Sequence, residues 1–529
     1  MTLSYLTDDC FYYILQYLQN DDSTLFNCLL VNRFWCKTTI PFLYANPFAN
    51  PFVKISKKNH LIISTIIFCF NKAEILQLKE QLEVNQINNI NIDEEHKPLF
   101  EYPKYLENYN DFGINSTIRR YCSGLSISHS KMYNEIIPIF HQSILRQSRN
   151  IKKLDISLDL FYGKSFKNFN VQNSNLNLIK LNSLSIRLNG TTNNEVGQEF
   201  LRNIADVSLN LRQLIINLNQ RSRRLLINPT TSNNLIDKTT WKKLYKIIQE
   251  QNKLKIFKLW NCSSSLNNIL LSLEFQKHSL VHIEFNNTNF VNVSLKSFNN
   301  LYNLECLIFE YCEGLLLNQC EILNFASFKL KEISFIRDKW NIDITPSIIK
   351  YLGEPLQRLS VENLTIPLIE NISLYCPNLI LLKIGIYSHI DFSGLAFFKD
   401  LRAKMLNISI FYDIDKFFRK LANNVPINVS KISFYVGSCI SNKFSKFKEF
   451  LENCHNNFEM INLNHIIELE FLKIVLNYIE RSNNNLKTLG MVNLDKELND
   501  EELKLLNQIK DKGVKIVKFN IIHYIYKGV

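Results

Sequence analysis

One six-residue pattern returns through most of this chain: apolar, two variable residues, apolar, one variable residue, apolar. It reads IKKLDI from Ile151, LNSLSI from Leu181, LRQLII from Leu211, LKIFKL from Leu254 and LVHIEF from Leu280. It continues as LECLIF from Leu304, LKEISF from Leu330, LQRLSV from Leu356, LILLKI from Leu379 and AKMLNI from Ala403. The last four copies are VSKISF from Val429, FEMINL from Phe458, LKTLGM from Leu486 and VKIVKF from Val514. A weaker copy, CSGLSI, starts at Cys122. From Cys122 onward the intervals are 29, 30, 30, 43, 26, 24, 26, 26, 23, 24, 26, 29, 28 and 28. Thirteen of these fourteen fall between 23 and 30, a regularity that a Leu-rich chain does not give by chance. The long interval holds the polar stretch Asn217–Thr240, which reads as an insertion loop inside one unit.

The last two apolar residues of each hexad alternate with variable ones, so they face one side of a short strand. Between hexads the apolar residues take helical spacing, as at Trp241, Leu244, Tyr245 and Ile248, and at Ile348, Ile349 and Leu352. Each unit is therefore a strand followed by a return helix. One unit cannot bury its apolar face alone, and stacked neighbours can. The expected fold class is α/β: a solenoid with short parallel strands on the concave side and helices on the convex side. A run of unrelated α/β units is the competing reading. The pattern resembles the longer, intracellular form of the leucine-rich repeat, most closely at CPNLILLKI from Cys376. Most copies lack the Asn that follows the strand in regular repeats of that family, and Phe, Ile and Val often replace Leu. The resemblance therefore implies an irregular array.

The N-terminus is different. Asp8 or Asp9 can cap a helix from near Cys10, in which Phe11, Ile14, Leu15 and Leu18 form one apolar stripe. Asp22 or Ser23 can cap a second helix, and Pro41 marks the end of a third. So small a trio buries little area by itself and needs a larger body or a partner to dock on. The stretch Leu3–Phe48 resembles an F-box. The matching positions are Leu6-Thr7, Asp9, Ile14-Leu15, Leu18, Leu25, Cys28, Leu30-Val31-Asn32-Arg33, Phe34-Trp35 and Leu43-Tyr44. Thr7 departs from the family, which has Pro there. A cap closing the open apolar end of the solenoid is the alternative reading of the same residues. The expected order is a small helical F-box at 1–48, a helical connector with a polar loop at 49–120, and an irregular leucine-rich-repeat solenoid at 121–529. Within the connector, Ile62–Phe70 and Ala73–Leu82 read as helices and Asn85–Asn115 as a loop. The whole resembles fungal F-box proteins with degenerate leucine-rich repeats.

Composition narrows the function classes. The chain is 46% hydrophobic and 21% charged, which is globular. The net charge of +12 is mild over 529 residues, and the densest basic tract, Arg221–Arg224, is short, so no nucleic acid is expected. The 12 cysteines include no CxxC pair, and no matching set completes a zinc site around Cys306, Cys312 and Cys320. They read as reduced thiols of an intracellular protein, cytoplasmic or nuclear. The longest apolar run, Leu61–Phe70, is too short for a bilayer, which needs about 20 residues. No phosphate loop, GxSxG or HExxH occurs, and the i, i+4 pair His278 and His282 straddles a strand. No catalytic residue, cofactor or metal is expected.

What the resemblance implies is a substrate-recognition subunit of an SCF-type ubiquitin ligase. The F-box would bind an adaptor and through it a cullin, and the repeats would hold a protein substrate. Leu6, Ile14, Leu15, Leu18, Leu25, Leu30, Val31 and Trp35 are the adaptor-face candidates; some must instead hold the trio together. The substrate candidates are the concave positions Lys258, Trp260, His282, Glu284, Glu310, Arg358, Ser360, Glu362, Lys383, Lys431 and Tyr435. Their mixed signs suit a protein better than a polyanion. Trp260 is either an anchor or part of the core. An adaptor-free repeat scaffold with only a cap at its N-terminus remains the alternative.

Overall fold

The computed structural model describes residues 7–19, 21–49, 57–82, 98–124, 127–162, 166, 178–188, 195–218, 236–362, 364–386, 392–411, 417–437 and 443–519. The chain divides into two compact units, Met1–Cys262 with Leu271–Leu280, and Ser263–Leu270 with Val281–Val529.

The first unit carries β1 (Asn108–Asn110), β2 (Lys153–Ser157), β3 (Ser183–Arg187), β4 (Gln213–Asn217) and β5 (Ile256–Trp260). They pair in parallel and in sequence order: Leu154 opposes Leu184, Leu184 opposes Leu214, and Leu214 opposes Phe257. The second unit carries β6 (His282–Asn286), β7 (Cys306–Glu310), β8 (Glu332–Ile336), β9 (Arg358–Glu362) and β10 (Leu381–Ile386). It continues with β11 (Met405–Ile410), β12 (Lys431–Val436), β13 (Met460–Leu463), β14 (Thr488–Met491) and β15 (Lys515–Lys518). These also pair in parallel, each with the next. The protein is an α/β solenoid of leucine-rich-repeat type. All fourteen strong hexads fall on β2 to β15. Their three apolar positions form the core, as at Leu280, Ile283 and Phe285, which are completely buried.

The returns follow the helical spacing where the sequence shows it. Trp241, Leu244 and Ile248 are buried on the helix Lys238–Gln249, and Ile348, Ile349 and Leu352 on the helix Ile344–Leu352. Shorter units return through 3₁₀ turns, such as Leu295–Asn300. Most of the Asn217–Thr240 insertion lies outside the described residues; β4 closes at Asn217 and the next helix opens at Lys238.

Ahead of the strands lie α1 (Asp8–Tyr17), α2 (Asp22–Leu29), α3 (Arg33–Leu43), α4 (Lys57–Ile67) and α5 (Lys72–Gln81). The caps differ from those expected. Thr7 precedes α1 without a side-chain cap bond, and Asp21 caps α2 by accepting from the Thr24 N–H at 3.0 Å. α3 runs two residues past Pro41, to Leu43.

Two expectations are corrected. The CSGLSI copy opens as a turn: Cys122–Gly124 is a 3₁₀ turn that ends α6 (Asp111–Tyr121), and residues 125–126 lie outside the described residues. The first strand among the described residues is β1, inside the polar stretch read as a loop. The polar side chains there are committed to structure. Asn110 caps α6, accepting from the N–H groups of Phe112 and Gly113. Asp111 is buried; it accepts from the Ser157 N–H at 2.6 Å and pairs with Arg187, which also bonds Asp155. A hydrophobicity pattern cannot see a buried carboxylate held by a cation and a backbone donor.

The segment after α3 completes the edge of this ladder. In later repeats two successive N–H groups bond one carbonyl of the preceding unit, as Lys152 and Lys153 do to Glu107. At β1 the carbonyl is that of Ala45, which accepts from Glu107 at 2.9 Å and Asn108 at 3.0 Å. α6 comes close behind it: a Cβ on Gly113 would stand 2.7 Å from the Phe48 carbonyl, so only glycine fits there.

Candidate functional site

Two surfaces carry the expected site residues, one in each unit. On α1–α3, Leu15, Leu25 and Cys28 form one buried cluster among the described residues, with Leu18, Trp35, Phe42 and Leu43 packed partly against it, and Ile40 of α3 is buried as well. Phe11 stacks edge-on to Phe34 and Trp35, 5.3 and 5.0 Å between ring centres. The adaptor candidates therefore split. Leu15 and Leu25 are fully buried, and Leu18 and Trp35 are half-buried structural residues. Ile14, Leu30 and Val31 point outward, at 41%, 74% and 60% exposure. Leu6 lies outside the described residues. Sequence reasoning missed Tyr12, Tyr13, Tyr17, Phe26 and Phe34, which are exposed on the same three helices, Tyr17 at 91%. The missed signal was the excess of large apolar residues over what so short a trio can bury.

In the second unit the strand face forms rows. One runs Asn286, Glu310, Ile336 across β6 to β8; on β9 to β12 the same row continues as Glu362, Gly385, Ser409 and Tyr435. Beside it, Ser360, Lys383, Asn407, Ser433 and Asn462 stand side by side. Gly385 has no side chain and Ser409 a short one, so a cavity of about 240 Å³ opens between the longer residues. Glu310, Ser360, Glu362 and Lys383, all named from sequence, line it, together with Tyr311, Phe335, Arg337 and Ser409.

Its electrostatics follow from burial and crowding. Burial pushes the Lys383 ammonium down to about 8, against the pull of Glu362, Glu332 and Glu310. Asp338 lines an adjoining cavity of about 200 Å³ that shares Phe335, Arg337 and Glu362. Burial first, then the charges of Glu362 and Glu310, push its carboxyl up to about 8, although the Cys312 N–H bonds it at 2.7 Å. The Glu310 carboxylate accepts from Asn286 Nδ2 at 2.7 Å, and that of Glu362 from the Arg337 N–H at 2.8 Å.

Tyr311 and Arg337 were missed by the sequence reading. Each stands one residue past its strand in the left-handed conformation, with φ of 55° and 53°. Asn261 and Asn287 hold the same place in earlier repeats, at 61° and 48°. Asn adopts this conformation readily, whereas Tyr and Arg give up about 1 kcal/mol each. The Arg337 guanidinium bonds the Tyr311 hydroxyl and lies 5.4 Å from its ring centre. Strain of this kind gathers at functional sites. The Asn-to-Tyr and Asn-to-Arg changes at a fixed repeat position were the available signal.

The other candidates are not gathered there. Lys258 and Trp260 are on β5, in the first unit, half-buried on the strand face rather than in the core. His282 and Glu284 form their own 3.8 Å pair on β6. Arg358 pairs with Glu332 at 2.8 Å. Lys431 is exposed at the start of β12, and Tyr435 packs on Phe411 at 5.7 Å. Among the described residues no cluster of metal-ligating side chains occurs, and no helix is long and apolar enough to cross a membrane.

No family model matches the chain, and no curated protein matches it. Solved structures resemble it loosely. Rad7, in the crystal structure of the Rad7 and Elc1 complex from yeast, aligns over 77% of this chain and 92% of its own, at 16% identity and TM-score 0.34. The leucine-rich repeat-containing protein LegL7 of Legionella pneumophila aligns over 52% and 94%, at 13% identity and TM-score 0.33. Internalin C2 of Listeria monocytogenes aligns over 36% and 74%, at 18% identity and TM-score 0.22.

Proposed function

We propose that this chain is a non-catalytic receptor subunit of an SCF-type ubiquitin ligase: α1–α3 bind the adaptor, and through it a cullin, and the strand face holds a protein substrate. The observation that carries the reading is the outward apolar set on α1–α3. Leu30, Val31, Ile14, Tyr13, Tyr17 and Phe26 are exposed around a small buried cluster, Leu15, Leu25 and Cys28. A monomeric helical trio gains nothing by showing so much apolar surface, and such patches mark interaction sites. The CLLVNRFW stretch that resembles the F-box supplies Leu30 and Val31. Ubiquitin would be moved by a separate enzyme. This chain would contribute proximity, raising the effective concentration of a substrate lysine near the thioester.

The Ala45 carbonyl bonds to Glu107 and Asn108 favour a second role, as cap of the first strand. That role uses the segment after α3 and leaves the apolar side chains of α1 and α2 unexplained. The test is adaptor pull-down by the intact chain and by a Leu30→Ser, Val31→Ser variant. Binding by the intact chain, lost in a folded variant, supports the receptor reading. No binding by the folded intact chain leaves a partner-binding scaffold whose N-terminal helices only cap it.

A further inference from the structure

We propose that the cavity on β7–β11 receives a cationic side chain, lysine or arginine, of an extended protein segment whose apolar neighbours lie along the exposed aliphatic rim of the same repeats. The inference rests on the reading of this strand face as the substrate-holding surface.

The rim is built from consecutive units. Val291 follows β6, Leu316 and Leu317 follow β7, and Ile342 follows β8; they are 54%, 52%, 48% and 64% exposed. Their loops are locked side by side. Isolated parallel bridges join Asn289 to Glu313 and Glu313 to Lys339, and the Phe290 N–H bonds the Glu313 carbonyl at 2.8 Å. Gly314, at φ 80°, is packed so tightly that a Cβ would lie 2.5 Å from Val291 Cγ2. Ile342 also lines the cavity beside Asp338, so rim and recess are continuous. An exposed apolar strip held this rigidly binds without much ordering cost.

Charge decides what enters the recess. Two carboxylates, Glu310 and Glu362, line its β7–β9 side, and Asp338, whose carboxyl burial keeps protonated near neutral pH, lines the adjoining cavity. An entering anion would sit against both carboxylates. The two bases of the lining are already committed. Arg337 is held on the Tyr311 hydroxyl and ring. Lys383 is half-buried beside Asn407 and Ser409 of β11, facing Glu310, Glu332 and Glu362, with Arg358 paired to Glu332. An entering ammonium or guanidinium brings the positive charge that Lys383 carries only at a cost. Lys383 then releases its proton to solvent, and the charge of the recess is unchanged. Binding and proton release are thus linked.

The test is calorimetry on the full chain with three nine-residue peptides that share a leucine-rich frame and carry lysine, norleucine or glutamate at the centre. The lysine peptide is expected to bind, roughly tenfold more tightly than the norleucine peptide. At pH 7 its heat should differ between buffers of different ionisation enthalpy, the signature of proton release. Glu362→Gln should weaken it roughly tenfold, and Gly385→Leu, which fills the recess, should abolish it. Lys383→Met should strengthen it and reduce the buffer dependence to what the Asp338 carboxyl releases. Preference for the glutamate peptide, weaker binding by Lys383→Met, or no binding of any peptide overturns the proposal. Adaptor pull-down on the same preparations separates the two failures. Adaptor bound without peptide discards the cation pocket alone; peptide bound without adaptor discards the ligase role alone.

Discussion

The N-terminal trio makes an unusually clean separation between residues that hold a fold and residues that meet a partner. Leu15 is completely buried in a small cluster with Leu25 and Cys28. Leu15→Ala removes three carbon atoms from that core, and Leu→Ala changes at closed sites cost about 2–5 kcal/mol. So small a core contributes no more than a few kcal/mol, so the whole trio should open. Leu30 and Val31, at 74% and 60% exposure, have almost no packing to lose. Leu30→Ser with Val31→Ser should change stability by less than about 0.5 kcal/mol per site. At an interface the same pair would cost more than about 1 kcal/mol each, or over tenfold in adaptor affinity together. Hydrogen exchange over residues 8–43, read beside adaptor binding, distinguishes them. Leu15→Ala should accelerate exchange in α1–α3 and lose the adaptor. The serine pair should lose the adaptor with exchange unchanged. If the serine pair speeds exchange as Leu15→Ala does, the division between core and partner face is wrong.

Three further perturbations probe the solenoid. The Lys383 ammonium is pushed to about 8 from 10.5 by burial, so below pH 8 the folded chain holds a charge at a net cost of about 3 kcal/mol. Above it the unfolded state binds the extra proton, and stability rises with pH until about 10.5. Lys383→Met should therefore raise the melting temperature at pH 7 and give no advantage near pH 10.5; an equal gain at both would refute the burial account. His141 is completely buried between the Tyr109 hydroxyl at 2.6 Å and Asn115 Oδ1 at 2.7 Å, and burial lowers it to about 3. The unfolded state takes up that proton below about 6.5, so stability should fall as pH drops from there, with a flatter slope in His141→Gln by acid titration followed by circular dichroism. A Cβ on Gly490 would lie 2.0 Å from Asn462 Oδ1, and Asn462 bonds Ser433 at 2.9 Å. Gly490→Ala should cost about 1–3 kcal/mol by chemical denaturation, and Asn462→Ser in the same chain should restore most of it.

The fold was legible because its information is periodic. Fourteen hexads name fourteen strands, since burying three apolar side chains per unit is the same problem solved repeatedly. β1 was illegible because it solves that problem differently. Tyr109 is buried where later strands place Leu, Ile or, on β5, Phe, and Asp111 is buried close to it, neutralised by Arg187 from two strands away. That partner is 76 residues distant in the chain, beyond the reach of any local pattern. The recess was half legible for a related reason. Glu310, Ser360, Glu362 and Lys383 follow from strand alternation, which says which side chains face outward. What makes a cavity of that row is the absence of a side chain at Gly385 and the turn imposed at Tyr311 and Arg337. Alternation is blind to both. Register between strands decides that Gly385 stands beside Glu362 and Ser409 rather than one row away. A shift of two residues in any one of β7 to β11 would leave every hexad intact and erase the recess. Fold and site therefore differ in what specifies them: apolar spacing within each unit gives the first, and residue-by-residue alignment between units gives the second.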